Sequence, residues 1–287
     1  MKRCHFLCGF VAALYLLLSA TGGHAGSKTG EDYTPEFGQA GKHAVWVPTP
    51  QKLVDTMLDL AQVTTADYVI DLGSGDGRLV ITAAKRGAMA LGIEYNQDLV
   101  EFSKRAATAE GVSANARFEK ADIFESDFSK ATVVTLFILP WMNLKLRPKI
   151  LDMQPGTRIV SNTYGMGDWE PDQTVVLTEH DLLDWHTEQR PSFAGSYLLE
   201  WNTAHLWIVP AKINGTWQFN NGKIRFTQEF QEITGTLTMR EQEMRLRGKL
   251  DGNTISFSAG GVKYTGTVSG NTIAGTHSGG GVWKATR

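Results

Sequence analysis

The chain is expected to fold as a doubly wound, mostly parallel α/β sheet followed by a small antiparallel all-β domain. Three observations lead there. Short apolar runs alternate with segments of helical period between residues 44 and 210, the pattern of strands joined by crossover helices. The stretch Tyr68-Val69-Ile70-Asp71-Leu72-Gly73-Ser74-Gly75-Asp76-Gly77 runs from a strand through a glycine-rich turn into the helical segment Arg78 to Lys85. Beyond Pro210 the pattern changes. Gly-Thr pairs recur at Gly215, Gly235, Gly266 and Gly275, and Gly-Asn-Thr-Ile recurs at Gly252 and Gly270. Turn residues alternating with short β-prone runs predict an antiparallel meander over 211–287, closed as a small barrel or curled as a sheet.

The elements of the first part follow in order. Thr49 and Pro50 make a helix start, a hydroxyl cap followed by proline. Leu53, Val54, Met57, Leu58 and Ala61 then recur at helical spacing, which lays one face of that helix on the sheet. The run up to Asp71 reads as a central strand, and Met89 to Glu94 as the second. Gln97 to Glu110 carries Leu99, Val100, Phe102 and Ala106 on one helical face. Ala116 to Lys120 is the third strand and Ala131 to Leu139 the fourth, its uninterrupted apolar run suiting a strand buried on both faces. Pro140 bars that ladder from continuing. It opens either a loop carrying Trp141, Met142 and Asn143 toward a pocket, or a helix in which Trp141 and Met142 are core. Thr157 to Asn162 is the fifth strand, and Gly165 to Pro171 is too broken for a crossover helix. Thr174 to Thr178 and His205 to Val209 supply a final hairpin-like pair.

Glycines at 73, 75 and 77 permit a positive φ and bring bare backbone close to a ligand, while the following helix aims free N–H groups at it. Strand, glycine loop and helix also describe a dinucleotide site. The acids decide against a pyrophosphate, which would face Asp71 and Asp76. A ligand with an ammonium and a sulfonium would be attracted instead. Glu94 ends the second strand, where a carboxylate can accept both hydroxyls of a ribose. Asp122, with Ile123 and Phe124, ends the third, where an adenine would lie.

These acidic strand ends resemble the successive motifs of class I S-adenosylmethionine-dependent methyltransferases. Val47-Pro48-Thr49-Pro50, Leu139-Pro140-Trp141-Met142-Asn143, Val160-Ser161-Asn162 and Trp169-Glu170-Pro171 narrow the resemblance. Together they look like the small protein-lysine N-methyltransferases whose mitochondrial members modify inner-membrane proteins, and their bacterial relatives. The resemblance covers roughly residues 44 to 210 and does not reach the C-terminal β module. It implies S-adenosyl-L-methionine as cofactor, held by Asp71, Gly73, Ser74 and Gly75 at the methionine end. Glu94 would take the ribose, and Asp122 and Ile123 the adenine. It also implies a protein acceptor, membrane proteins included, with Asn143, Thr49 and Trp141 on the acceptor side. An amide such as Asn143 can accept a hydrogen bond from an incoming amine.

Composition bounds the rest. With 287 residues, 42% of them hydrophobic, the chain has room for one medium domain and a smaller companion. A net charge of −2 gives no broad attraction to nucleic acid. Arg240, Arg245, Arg247 and Lys249 cluster, but Glu241 and Glu243 interrupt them, as on a solvated face. His180, His186 and His205 have no metal-ligand spacing. There is no Gly-x-Ser-x-Gly elbow. At the N-terminus, Lys2 and Arg3 precede the apolar run 10–18, with Gly23 and Ala25 following, so residues 1–25 read as a signal peptide. The run is short for a membrane span; an uncleaved anchor is the alternative, and the one route to membrane contact. Both cysteines, Cys4 and Cys8, lie in this leader. Residues 26–43 read as a linker, in which Tyr33 and Phe37, with Trp46 just beyond, serve as packing residues or line a substrate entrance. The competing functional reading is an exported binding or scaffold protein that keeps the fold without the reaction.

Overall fold

The computed structural model describes residues 33–182, 201–220 and 222–287. The leader, the linker up to residue 32 and His186 lie outside the described residues. The central sheet has seven strands in the order β3-β2-β1-β4-β5-β7-β6. Its members are β1 (Tyr68–Leu72), β2 (Met89–Glu94), β3 (Ala116–Lys120), β4 (Val133–Leu136), β5 (Arg158–Asn162), β6 (Gln173–Val176) and β7 (Thr203–Ile208). The first five run parallel, while β7 is antiparallel to both β5 and β6. Helices α1 (Gln51–Leu60), α2 (Arg78–Lys85), α3 (Gln97–Ala109) and α4 (Pro140–Leu151) flank it, with a short α5 at Glu179–Leu182. The doubly wound, mostly parallel sheet is therefore present as the sequence predicts.

Alternation along each strand divides the core in two. Val69, Val133 and Val160 pack with Leu53, Met57, Val80 and Val100 of the helices on one face. Ile70, Leu72, Val134, Leu136 and Ile159 pack with Met142, Leu146, Ile150 and Trp207 on the other. At about 25 cal/mol per Å2, such two-sided burial is the main force holding the parallel strands together.

Two local expectations are corrected and one open alternative is decided. The fourth strand spans Val133–Leu136 and ends short of Leu139, with Leu136 the last residue paired both to β1, at Leu72, and to β5, at Ser161. Pro140 opens a helix directly, at its first position, with Leu139 as N-cap. Met142 is core in that helix, but Trp141 is 46% exposed. Thr49 is not a helix cap: Pro50 occupies the cap position of α1, with no side-chain bond. The Thr49 hydroxyl instead accepts from Asn162 Nδ2 at 3.3 Å.

Strands β8 (Gly215–Phe219), β9 (Gly222–Glu229), β10 (Glu232–Met239), β11 (Gln242–Asp251), β12 (Thr254–Ala259), β13 (Val262–Ser269), β14 (Thr272–His277) and β15 (Val282–Thr286) close into an antiparallel barrel. Of the two forms expected, barrel or curled sheet, closure wins; it leaves no unpaired strand edge. Inward side chains fill it, among them Trp217, Phe219, Phe226, Leu237, Leu250, Ile255, Phe257 and Trp283. The barrel seats on the sheet through polar as well as apolar contacts. Trp207 Nε1 donates to the Trp169 carbonyl at 2.7 Å, Trp169 Nε1 to Gln231 Oε1 at 2.8 Å, and Gln231 Nε2 to the Glu170 carbonyl at 2.9 Å. Gly252 lies so close to Gly156 that a β-carbon would come within 2.9 Å of its Cα. Gly156 precedes β5 and Val209 follows the reversed β7, so the barrel meets the edge of the sheet where its parallel strands begin.

Candidate functional site

The opposite edge, where the parallel strands end, carries a cleft of about 990 Å3 counted to its open mouth. Ligands bind at this edge in open α/β sheets. The glycine loop after β1 forms its floor and is braced by the end of β2. Gly73 and Ser74 donate their N–H groups to the Ile93 carbonyl at 2.8 and 3.2 Å, and Gly75 donates to Glu94 Oε2 at 3.1 Å. Gly75 has φ +55°, and a β-carbon there would lie 2.6 Å from Trp46 Nε1. Only glycine fits between that indole and the turn. Ser74 lines the cleft, but its buried hydroxyl has no hydrogen-bond partner among the described residues.

Three carboxyl groups mark successive strand ends. Asp71 is buried and accepts from Thr135 Oγ1 at 2.7 Å. Burial pushes its carboxyl up to about 7, against the Thr135 hydrogen bond and with help from the charges of Glu94 and Asp76. Burial likewise raises Glu94, opposed by the backbone N–H groups of Asn96 and Gly75. Asp122 behaves oppositely: the hydrogen bond from Lys42 holds its carboxyl below the usual carboxylate range. Lys42 Nζ is 2.5 Å from Asp122 Oδ2 and lies over the Tyr95 ring, 4.4 Å from its centre. Asp76 does not present a free charge to the cleft. Arg78 grips it, with Nη2 2.6 Å from Oδ2, and the same guanidinium donates to the Thr49 carbonyl at 2.7 Å.

The structure thus brings Asp71, Gly73, Ser74, Gly75, Glu94, Asp122, Ile123 and Thr49 around one cleft. It does not bring Asn143 there. Asn143 is fully buried, and its Nδ2 donates to the carbonyls of Tyr164 and Gly165 at 3.1 and 3.2 Å, tying down the chain after β5. Its Oδ1 has no partner among the described residues. Trp141 stands beside the cleft rather than in it, 5.9 Å from Phe124 and 5.6 Å from His43 between ring centres. Residues 40–43 are no loose tether. A bridge between Ala40 and Val45 folds this segment back, and Lys42, His43 and Trp46 line the cleft with it. Trp46 had an aromatic signal in the sequence; Lys42 and Tyr95 had none. Among the described residues no cluster of His, Cys, Asp and Glu can hold a metal ion. No helix among them is long and apolar enough to cross a membrane.

Comparison with known proteins bears on the same region. Residues 71–173 match the family model described as the ANTKMT methyltransferase domain. A protein-lysine N-methyltransferase of Saccharolobus islandicus (strain REY15A) is 42% identical over 130 residues, which are 44% of this chain and 81% of that protein. The chain belongs to the protein-lysine N-methyltransferase family. A Homo sapiens lysine N-methyltransferase named for the ATP synthase is 34% identical over 125 residues, 43% of this chain and 53% of that protein. The chain therefore spans about half the length of such animal relatives. A solved RNA methyltransferase from Salinibacter ruber, in complex with S-adenosyl-L-homocysteine, is 42% identical, covering 58% of this chain and 96% of its own, with a TM-score of 0.49.

As a member of this family the chain is an S-adenosylmethionine-dependent methyltransferase. The residues present fit that cofactor. Two carboxyl groups, the buried Asp71 and the half-buried Glu94, face a cleft floored by close-packed glycines. An anionic pyrophosphate would raise the cost of ionising them, whereas a cationic ligand lowers it.

Proposed function

We propose that this methyltransferase modifies the side-chain amine of lysine in a protein. The observation that carries the reading is the likeness to a protein-lysine N-methyltransferase over 81% of that protein. The carboxyl groups at the ends of β1 and β2, Asp71 buried and Glu94 half-buried, suit a donor that is positively charged at its reacting end. When bound, S-adenosylmethionine supplies a methyl group on a sulfonium, ready for in-line displacement. Asp71 and the loop 73–75 hold the methionine end, Glu94 the ribose, and Asp122 with Ile123 the adenine. Val45, Trp46, Ile138 and Met142 give the cleft an apolar wall. A lysine brought against such a wall loses hydration, and desolvation lowers the pKa of its amine. The neutral amine is the nucleophile, so orientation and a dry approach are what the protein contributes and no side-chain base is required. Thr49 lines the cleft and Trp141 flanks it, which supports an acceptor-side role for both. The names of the relatives, one a protein-lysine and one an ATP synthase lysine N-methyltransferase, support a protein acceptor and make a membrane protein a natural one to try.

The test is chemical. The full chain is incubated with methyl-labelled S-adenosylmethionine and protein fractions, and the products are acid-hydrolysed. Label in ε-N-methyl-lysine is the expected result; label confined to nucleic acid, or to another amino acid, overturns the reading.

We further propose that the protein is exported. The apolar run 10–18, followed by Gly23 and Ala25, supports this, with anchoring by an uncleaved leader as the alternative. Fractionating cells and sequencing the mature N-terminus separates the two. A start at Gly26 supports cleavage and Met1 in the membrane fraction supports an anchor; an intact leader on cytosolic protein overturns both.

A further inference from the structure

The outer face of the barrel carries a second, shallow and open hollow that methyl transfer leaves unused. Strand register builds it. Thr236 of β10 faces Arg225 of β9 on one side and Arg245 of β11 on the other. One row along, Thr234 lies between Thr227 and Arg247, and Arg247 faces Ser258 of β12. Side chains on one face of a strand recur every second residue. The inward set Ile224, Phe226, Ile233, Leu237 and Leu246 is core, so these arginines and hydroxyls point outward together.

Arg225 and Arg245 stand two strands apart, about 10 Å, and Arg247 is about 7 Å along the strand from Arg245. That is close to the screening length at physiological salt, about 8 Å, so the three positive charges repel one another. No ion pair among the described residues includes any of them. By contrast Arg78, Arg86, Arg147 and Arg158 each meet an aspartate. The hollow has no carboxylate in its lining. Glu243 faces Thr238 in the row beyond Arg245, and Glu229 faces Glu232 in the row beyond Thr227. The interruption by Glu243 that the sequence shows therefore falls at the border of the patch. Three unpaired guanidiniums around four hydroxyls on rigid strands match the oxygens of phosphate, which arginine grips with two parallel N–H bonds. The lining holds no aromatic side chain on which a nucleic-acid base would stack. Its one apolar member, Leu246, is buried, so nothing there would insert into a bilayer.

We propose that this hollow is a binding site for a phosphate-bearing ligand, with phosphate held between Arg225, Arg245 and Arg247. The ligand is either a free phosphorylated molecule or the headgroup of a phosphate-monoester lipid, and the chemistry at the arginines is the same. The barrel meets the sheet at the edge opposite the donor cleft, so the site is separate from the methyl-transfer centre.

Calorimetry of the full chain with inorganic pyrophosphate, and flotation with phosphatidylcholine vesicles with and without phosphatidic acid, test this. Pyrophosphate binding that weakens at least about tenfold in Arg245→Ala/Arg247→Ala establishes the site for a free ligand. Arg245→Lys/Arg247→Lys keeps the charge but loses the paired bonds, and binds at an intermediate level. Flotation that requires phosphatidic acid and the arginines, without pyrophosphate binding, assigns the site to a lipid. Circular dichroism confirms that the variants fold; should the alanine pair not fold, the lysine pair carries the test. Binding of neither probe, or binding unchanged in the folded variants, overturns the proposal.

Discussion

Replacing Asp71 by asparagine separates folding from donor binding, because the two pull in opposite directions. The carboxyl is pushed up from 3.8 to about 7 by burial. The folded protein therefore keeps a proton that the unfolded chain releases as pH rises through about 4. Between about pH 4 and about pH 7 stability falls with rising pH, and above the folded value it levels off. Raising the carboxyl from 3.8 to about 7 corresponds to about 4 kcal/mol when ionisation is complete. An asparagine carries no such cost and can still accept the Thr135 hydrogen bond. Asp71→Asn is accordingly expected to melt higher than wild type at about pH 8, by an amount approaching about 4 kcal/mol, and alike at about pH 4. A cationic donor favours the ionised carboxylate, so binding to wild type releases a proton at about pH 6 and tightens as pH rises toward about 7. The asparagine variant loses both the release and most of the affinity. Thermal melts across pH, with calorimetry in two buffers of different ionisation enthalpy, read all of this. A variant less stable than wild type at about pH 8, or donor binding by wild type that ignores pH between about 5 and 8, would refute the reasoning.

Glu94→Ala removes the acceptor of the Gly75 and Asn96 N–H groups as well as the group assigned to the ribose. Donor binding should weaken by about 1–3 kcal/mol in calorimetry, and a variant that binds as wild type does would dismiss that assignment. Lys42→Ala frees Asp122 from its partner; if Asp122 receives the adenine, donor affinity rises severalfold, and a fall would instead make Lys42 part of the donor's own binding site. Asn143→Ala strips the carbonyls of Tyr164 and Gly165 of their donor. It should cost about 1–3 kcal/mol in denaturant unfolding while leaving donor affinity in the folded protein close to wild type; a loss of affinity without a loss of stability would return Asn143 to the cleft.

Much of the α/β half was legible because local and global signals agree there. The run ending at Asp71, the glycines after it and the helical face of Leu53 to Ala61 each predict the element found. The misreadings arose where a neighbour decides. Val133 to Leu139 looks like one strand, yet pairing to both neighbours stops at Leu136, where β1 turns away after Leu72. Asn143 lies in the right motif, but the helix beginning at Pro140 turns its amide inward to the carbonyls after β5. Asp76 reads as a free acid until Arg78 is seen to hold it. The segment 40–46 lacks apolar period, so its place over the cleft is set by long-range contacts such as Lys42 with Asp122, 80 residues apart. Likewise Arg225 and Arg245 are distant in the chain, and only the barrel register makes them neighbours across β10.

The most direct measurement is a crystal structure of the full chain grown with S-adenosylmethionine. The donor is expected in the cleft between the glycine loop and the segment 40–46, its ribose hydroxyls on Glu94, its adenine beside Asp122 and its charged end toward Asp71. A donor bound elsewhere, or that cleft filled by an anionic nucleotide in preference to the donor, would contradict this assignment.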